Sequence, residues 1–416
     1  MGVQPAASLD VESIREDFPI LEREVAPDTP LVYLDNAATT LTPEPVLDAM
    51  NTYYRAQNAN VHRGLHTLSQ EASVAYEDAH DRLASFIGAS GGREEMVFTK
   101  NTTESINLVA QAWGLHELGE GDEIVISAAE HHSNLVTWQQ VASRTGATLR
   151  ILDIDEDGSI DLGNAEEMIG PSTAVVSLLH VSNTLGTVNP VERIGALTHD
   201  HDALFVVDGA QAVPTMPVDV EAIDADFYAF SGHKMLGPTG IGGLYGKRHL
   251  LEEMEPFLYG GEMIRSVSYE DASWNDLPWK FEAGTPPIAE GIGMAAAADY
   301  LDDIGMAQIA AHEREIAAYA IDRLQELEGI TIYGPLDAER RAGLVSFTLD
   351  EAHAHDIAEI TNGFGVAIRA GHHCTQPLHN QLGVAATSRA SFHVYNTPEE
   401  IDVLMESLDA VVELFS

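Results

Sequence analysis

The sequence predicts an α/β fold: a mostly parallel, seven-stranded sheet covered by helices, followed by a smaller α+β unit. Three observations carry that expectation. Between residues 95 and 245, short apolar runs alternate with helical stretches, the pattern of parallel strands joined by crossover helices. The runs are nearly continuous in apolar character, as in strands buried on both faces. After Pro286-Pro287 the texture changes to a long alanine-rich helical region and then to a different order of strands and helices. The expected division is an N-terminal segment, 1–30, packing with the small domain, a large domain, 31–286, and a small C-terminal domain, 287–416.

Taken in order, residues 11–25 read as one short amphipathic helix. Leu31-Val-Tyr-Leu34 reads as a brief strand running into Asp35-Asn-Ala-Ala-Thr-Thr40, whose small residues let another group approach the backbone. Helices are expected over 44–56 and 69–88, with the polar loop Val61-His-Arg-Gly-Leu-His66 between them. The seven strands are expected at 95–99, 122–127, 148–153, 174–180, 204–207, 227–230 and 241–245. Helices over 105–113, 133–144 and 191–200 alternate with them. The C-terminal part reads as a helical region over about 290–328, strands at 330–333, 343–349, 366–369 and 389–395, and helices over 354–363 and 398–414.

The charge balance excludes several functions. Against 66 acidic residues stand four lysines and seventeen arginines, for a formal charge of −45 spread along the chain. Such a surface stays solvated where salt screens charge, which points to a halophilic source. It argues against nucleic-acid binding, which needs basic patches. One cysteine, Cys374, excludes an intrachain disulfide and fits a reducing cytoplasm. The N-terminus lacks a basic region followed by an apolar one, and no apolar run approaches ~18 residues, so neither a signal peptide nor a membrane span is expected.

The chemistry gathers at the ends of the expected strands, where open α/β sheets bind ligands. Asp226-Phe-Tyr-Ala-Phe-Ser-Gly-His-Lys-Met-Leu-Gly-Pro-Thr-Gly240 starts as a strand and breaks into a glycine-rich loop. One of the four lysines, Lys234, sits at that break. An amine emerging from an apolar wall has a lowered pKa and attacks carbonyls. Asp208 ends the preceding strand, with Gln211 three residues on. Glu130-His131-His132 follows another strand, and Thr102-Thr103 opens a helix whose free N–H groups suit a phosphate. An electrophile-capturing lysine, a carboxylate and phosphate donors are together what pyridoxal phosphate (PLP) requires. Singly, each reads more blandly: a surface lysine, a turn aspartate, an ordinary helix cap.

Specific motifs strengthen the set. Val206-Val-Asp-Gly-Ala-Gln-Ala212 and Phe230-Ser-Gly-His-Lys-Met-Leu-Gly-Pro-Thr-Gly240 resemble the class V, fold-type I PLP-dependent transferases. Tyr33-Leu-Asp-Asn-Ala-Ala38, Ala59-Asn-Val-His-Arg-Gly64, Thr102-Thr-Glu104 and Glu130-His-His-Ser-Asn134 join them. Phe281-Glu-Ala-Gly-Thr-Pro286, Arg369-Ala-Gly-His-His-Cys374 and Ser388-Arg-Ala-Ser391 complete the set. In order over about 30–396, it resembles the SUF-type (group II) cysteine desulfurases, relatives of the selenocysteine lyases.

The resemblance implies that Lys234 holds PLP and shuttles the substrate Cα proton. Asp208 pairs with the ring nitrogen, Gln211 bonds the phenolic oxygen, and His131 stacks on the ring and handles protons. Thr102, Thr103, Ser231 and His233 hold the phosphate, joined by Thr285 from the other subunit of a homodimer. Asn183 and Arg389 bind the substrate carboxylate, with Arg369, Ala37, His62 and Arg63 near the site or across the interface. Cys374, in a polar glycine-led loop directly after two histidines, is the sulfur-accepting nucleophile. The implied reaction converts L-cysteine to L-alanine and leaves a persulfide on Cys374, for a sulfur-acceptor protein or an iron–sulfur scaffold complex. Alternatives are a selenocysteine lyase and a non-catalytic sulfur-relay partner with a relict PLP fold.

Overall fold

The structure is a computed structural model that describes residues 9–155 and 157–415. Its centre is a seven-stranded sheet: β1 Met96–Thr99, β2 Glu123–Ser127, β3 Thr148–Leu152, β4 Thr173–Leu179, β5 Leu204–Asp208, β6 Phe227–Ser231 and β7 Gly242–Gly246. The order across it is β1-β7-β6-β5-β4-β2-β3. Neighbours among β2 to β6 pair in parallel, and β7 runs antiparallel to both β1 and β6. One strand therefore opposes six, in line with the mostly parallel sheet expected from sequence. Successive residues of β6 serve opposite faces: Phe227 and Ala229 join one core cluster, Tyr228 and Phe230 the other.

A second sheet is built from β8 Ile330–Tyr333, β9 Leu344–Leu349, β10 Arg369–Gly371 and β11 Thr387–Ser391, in the order β8-β9-β11-β10 and antiparallel throughout. It shares a core with the helices Met306–Leu324, Ala354–Gly363 and Pro398–Phe415 through Ile316, Ile357, Leu404 and Leu408. The helix Ile288–Ile304 packs instead into the large core, where Met294, Ala298 and Leu301 join Tyr76 and Leu83. At the N-terminal end, Arg15 donates to the Tyr395 carbonyl and to Glu400, and Tyr300 donates to Asp17.

Several elements differ from expectation. The helix expected over 11–25 is only Val11–Arg15, followed by a 3-10 turn, Pro19–Glu22, and the strand Glu24–Ala26. Pro19 pushes Phe18 out of the helical region, to φ −118° and ψ 77°. The helical region over 290–328 is two helices broken at Gly305, whose φ of 97° only glycine adopts readily. A helix at Leu162–Met168, capped by Asp161, and a hairpin of Ile264–Val267 with Ala272–Trp274 were not anticipated. The strand expected at 389–395 is Thr387–Ser391, because Ser391 turns its N–H to the Leu34 carbonyl and Asn396 Oδ1 accepts from the His393 N–H. No helix among the described residues is long and apolar enough to cross a membrane.

Candidate active site

The carboxyl ends of β1, β2, β4, β5 and β6 open onto one cavity of about 370 Å³. Lys234, Asp208, Gln211, Ser231, His233, Thr102, Thr103, His131, Asn183, Ala37, Arg369, Arg389 and Cys374 all line it. Of the residues singled out from sequence, Thr285, His62 and Arg63 do not. Thr285 is exposed beside Phe281 and Glu282 in a separate depression. The His62 ring lies against Trp279, and Arg63 pairs with Glu262.

Lys234 follows β6 in the one-turn 3-10 helix Gly232–Lys234. A Cβ on Gly232 would come within 2.8 Å of Ile241, so the turn needs glycine there. One of its carbonyls is gripped from the Asp35–Thr40 stretch: Thr39 Oγ1 donates to the His233 carbonyl at 2.9 Å, and the Thr40 N–H does so at 3.0 Å. Thr40 Oγ1 also accepts the Leu236 N–H at 2.9 Å. The group that approaches the small residues is thus the lysine turn itself. Burial lowers the Lys234 amine to about 8, against the opposing pull of Asp208.

Asp208 is 5% exposed. Its Oδ1 accepts the Ala210 N–H at 3.0 Å, and no other hydrogen bond of the described residues uses its carboxylate. Burial raises its pKa, so a cationic N–H partner would be favoured there. Gln211 Nε2 donates to the Ala37 carbonyl at 2.7 Å, which joins the Asp35–Thr40 stretch to the end of β5.

The helix Thr102–Val109 aims its N-terminus at the same cavity. Asn101 caps it through the Glu104 N–H, and Glu104 reaches back to the Lys100 N–H, a reciprocal cap. Ser231 Oγ lies 2.9 Å from the Thr102 N–H and 2.7 Å from Thr102 Oγ1. Asn101 is therefore a cap residue. His131 caps the helix His132–Thr145, its Nδ1 accepting the Ser133 N–H at 3.1 Å. Burial, then Lys234, lowers the ring to about 3, so it is neutral and the Nδ1 acceptor leaves the proton on Nε2.

Arg389, 3% exposed, donates to the Asn183 carbonyl at 2.7 Å. Its Nε is buried without a partner, a donor in want of an acceptor. Burial pushes the guanidinium down to about 10, still charged at neutral pH. Asn183 Nδ2 donates to the His373 carbonyl at 2.7 Å, so the same residue touches the arginine and the cysteine loop.

Cys374 is exposed. His373 and Cys374 both have positive φ, 47° and 59°, and the Thr375 N–H closes onto the His372 carbonyl at 2.8 Å. That is a type I′ turn built without glycine, a conformation that costs about 1 kcal/mol or more per residue and must be held from outside. His132 holds it twice, through its N–H to the Cys374 carbonyl at 2.8 Å and its Nε2 accepting the Gln376 N–H at 3.0 Å. Thr375 Oγ1 lies 2.9 Å from Thr184 Oγ1, and His373 Nε2 lies 2.9 Å from Thr387 Oγ1. His132, Thr184, Thr375 and Asp35, which binds both arginines, had no assigned role from sequence. Their partners lie far away in the chain, so no local pattern marks them.

The residues present fit pyridoxal phosphate. A lysine amine, an underused buried carboxylate and a helix N-terminus with hydroxyls line one cavity of suitable size.

Comparison with known proteins agrees. Residues 32–404 match the family described as Aminotransferase class-V. The chain is 64% identical to a cysteine desulfurase of Haloferax volcanii, with all of both chains covered. It is 63% identical to a probable cysteine desulfurase of Halobacterium salinarum, with 98% of each covered. Among solved structures it resembles the apo cysteine desulfurase of Thermococcus onnurineus, with a TM-score of 0.92 and 42% identity over 99% of this chain and all of that one. It also resembles the Escherichia coli cysteine desulfurase CsdA, at 0.90 and 39% over the same shares.

Proposed function

The chain belongs to the aminotransferase class-V family, and from that premise we propose that it is a PLP-dependent cysteine desulfurase of the SUF type. The observation that carries the reading is Cys374, the one cysteine of the chain, on the cavity that Lys234, Asp208 and Arg389 also line.

When bound, PLP supplies an aldehyde and a protonated ring that draws electrons from the substrate Cα. Lys234 would hold the aldehyde carbon, and its Nζ, when free, would take the substrate Cα proton. Asp208 would keep the ring nitrogen protonated by its charge. The N-terminus of Thr102–Val109, with Thr103, Ser231 and His233, takes the phosphate. Arg389 Nε and Asn183 would receive the substrate carboxylate, and His131 would offer its Nε2–H to the substrate. The Cys374 thiolate forms an S–S bond with the substrate sulfur as the Cβ–Sγ bond breaks. The electron pair stays with the substrate, which regains protons and leaves as L-alanine. The enzyme cysteine gains one sulfur, so the step needs no outside oxidant.

A homodimer would bring a second copy's Thr285 toward the phosphate and give His62 and Arg63 a place at the interface. The persulfide would pass to an acceptor protein in cytoplasmic iron–sulfur cluster assembly. The charge of −45 and the two haloarchaeal relatives support a halophilic setting. The test is alanine formation by the PLP-loaded protein given L-cysteine and a reductant. Alanine and sulfide in equal amounts are expected, and no alanine would refute the reading.

A further inference from the structure

Asp35 has no part in the reaction above, yet it contacts both arginines of the site. Arg369 Nη2 reaches its Oδ2 at 2.6 Å, and Arg369 Nε lies 3.1 Å from Oδ2 and 3.3 Å from Oδ1. Arg389 Nη2 reaches Oδ1 only at 3.4 Å. The two arginines are direct cross-strand partners in the antiparallel pair β10 and β11. Like charges so placed repel, and a carboxylate between them relieves that. Asp35 arrives from a separate segment, docked on β11 by a bridge to Ser391.

The sharing is unequal. Arg369 takes most of the carboxylate, while Arg389 keeps a buried Nε without a partner. Arg369 also begins the segment that ends at Cys374, and both side chains line the cavity. The substrate sulfur must point toward Cys374. An anionic group at that position would meet Arg369 if its charge were uncompensated.

We propose that Asp35 determines specificity by taking up Arg369. One guanidinium, Arg389, is then available, and the site favours amino acids with an uncharged side chain over those with a second anion on Cβ. This rests on the desulfurase reading, in which Arg389 binds the substrate carboxylate. The effect belongs to the pair of charges: Asp35 is a positioning residue and touches no reacting atom.

The experiment compares L-alanine with L-aspartate, which differ by one carboxylate on Cβ. Both are titrated into the PLP-loaded protein at constant high salt, and binding is read from the cofactor absorbance. Asp35→Asn is expected to strengthen aspartate relative to alanine by about threefold, since it frees one half-exposed charge. Arg369→Met, which leaves Asp35 uncompensated, is expected to shift the ratio the other way. Ratios unchanged in both variants would overturn the proposal, as would parallel weakening of both ligands by Asp35→Asn. Should Asp35→Asn fail to fold, Asp35→Ser takes its place, with the same shift expected and the same unchanged ratio overturning the proposal. Failure of the unsubstituted protein to form alanine from L-cysteine would overturn the desulfurase reading instead, and the absorbance ratios would still report on Asp35.

Discussion

The backbone N–H of His132 donates to the Cys374 carbonyl at 2.8 Å, so the helix that presents His131 also holds the cysteine turn. His132 Nε2 adds a second tie, to the Gln376 N–H. Burial, then His372, keeps that ring's pKa low and so preserves Nε2 as an acceptor.

His132→Ala deletes the side-chain tie, a loss of about 1 kcal/mol of anchoring for a turn already strained at two residues. The expected outcome is several-fold slower sulfur transfer with PLP binding unchanged. Single-turnover alanine formation beside a cofactor absorbance titration measures both. Equal loss of the two would mean that His132 supports the whole site rather than the turn.

The Lys234 amine, lowered to about 8 by burial, attacks only when neutral. The rate at which the cofactor-free protein captures PLP should therefore rise with pH and level off just above 8. A solvent-exposed lysine would keep gaining up to roughly 10.4. Stopped-flow absorbance distinguishes the two profiles.

Asp208→Asn keeps an oxygen for the Ala210 N–H and removes the charge that would hold the ring nitrogen protonated. Alanine formation should fall by about a hundredfold, the scale of losing one preorganised electrostatic contact. PLP should still bind through Lys234 and the phosphate donors. Full activity in this variant would remove Asp208 from the mechanism.

His180, 6% exposed, is lowered to about 4 by burial, with its Nδ1 2.9 Å from the Tyr228 hydroxyl. Between roughly 6.5 and 4 the unfolded chain binds a proton at this site that the folded chain does not. Stability therefore falls as pH drops through that window. Urea midpoints taken at several pH values should show a shallower fall in His180→Gln, by up to about 1.4 kcal/mol per pH unit.

The main sheet was legible because its strands are apolar runs set between capped helices. Lys234, Asp208 and Thr102-Thr103 were legible because each sits where a strand ends. The helix breaks were harder. Pro19 and Gly305 lie inside stretches whose apolar spacing continues across them, and only the backbone angle reveals the break. Asp35 and His132 were readable as motif letters but not as partners, since their hydrogen bonds reach Arg369 and Gln376, more than two hundred residues away. The pinned turn at His373-Cys374 was equally hidden: histidine takes a positive φ more often than most residues, but cysteine does not advertise one.

The most direct test of the account is the intact mass of the PLP-loaded protein after L-cysteine, without reductant. The account predicts one added sulfur atom, located on Cys374, removed by reductant and absent in Cys374→Ala. Alanine release with no sulfur on Cys374, or undiminished release by Cys374→Ala, would contradict it.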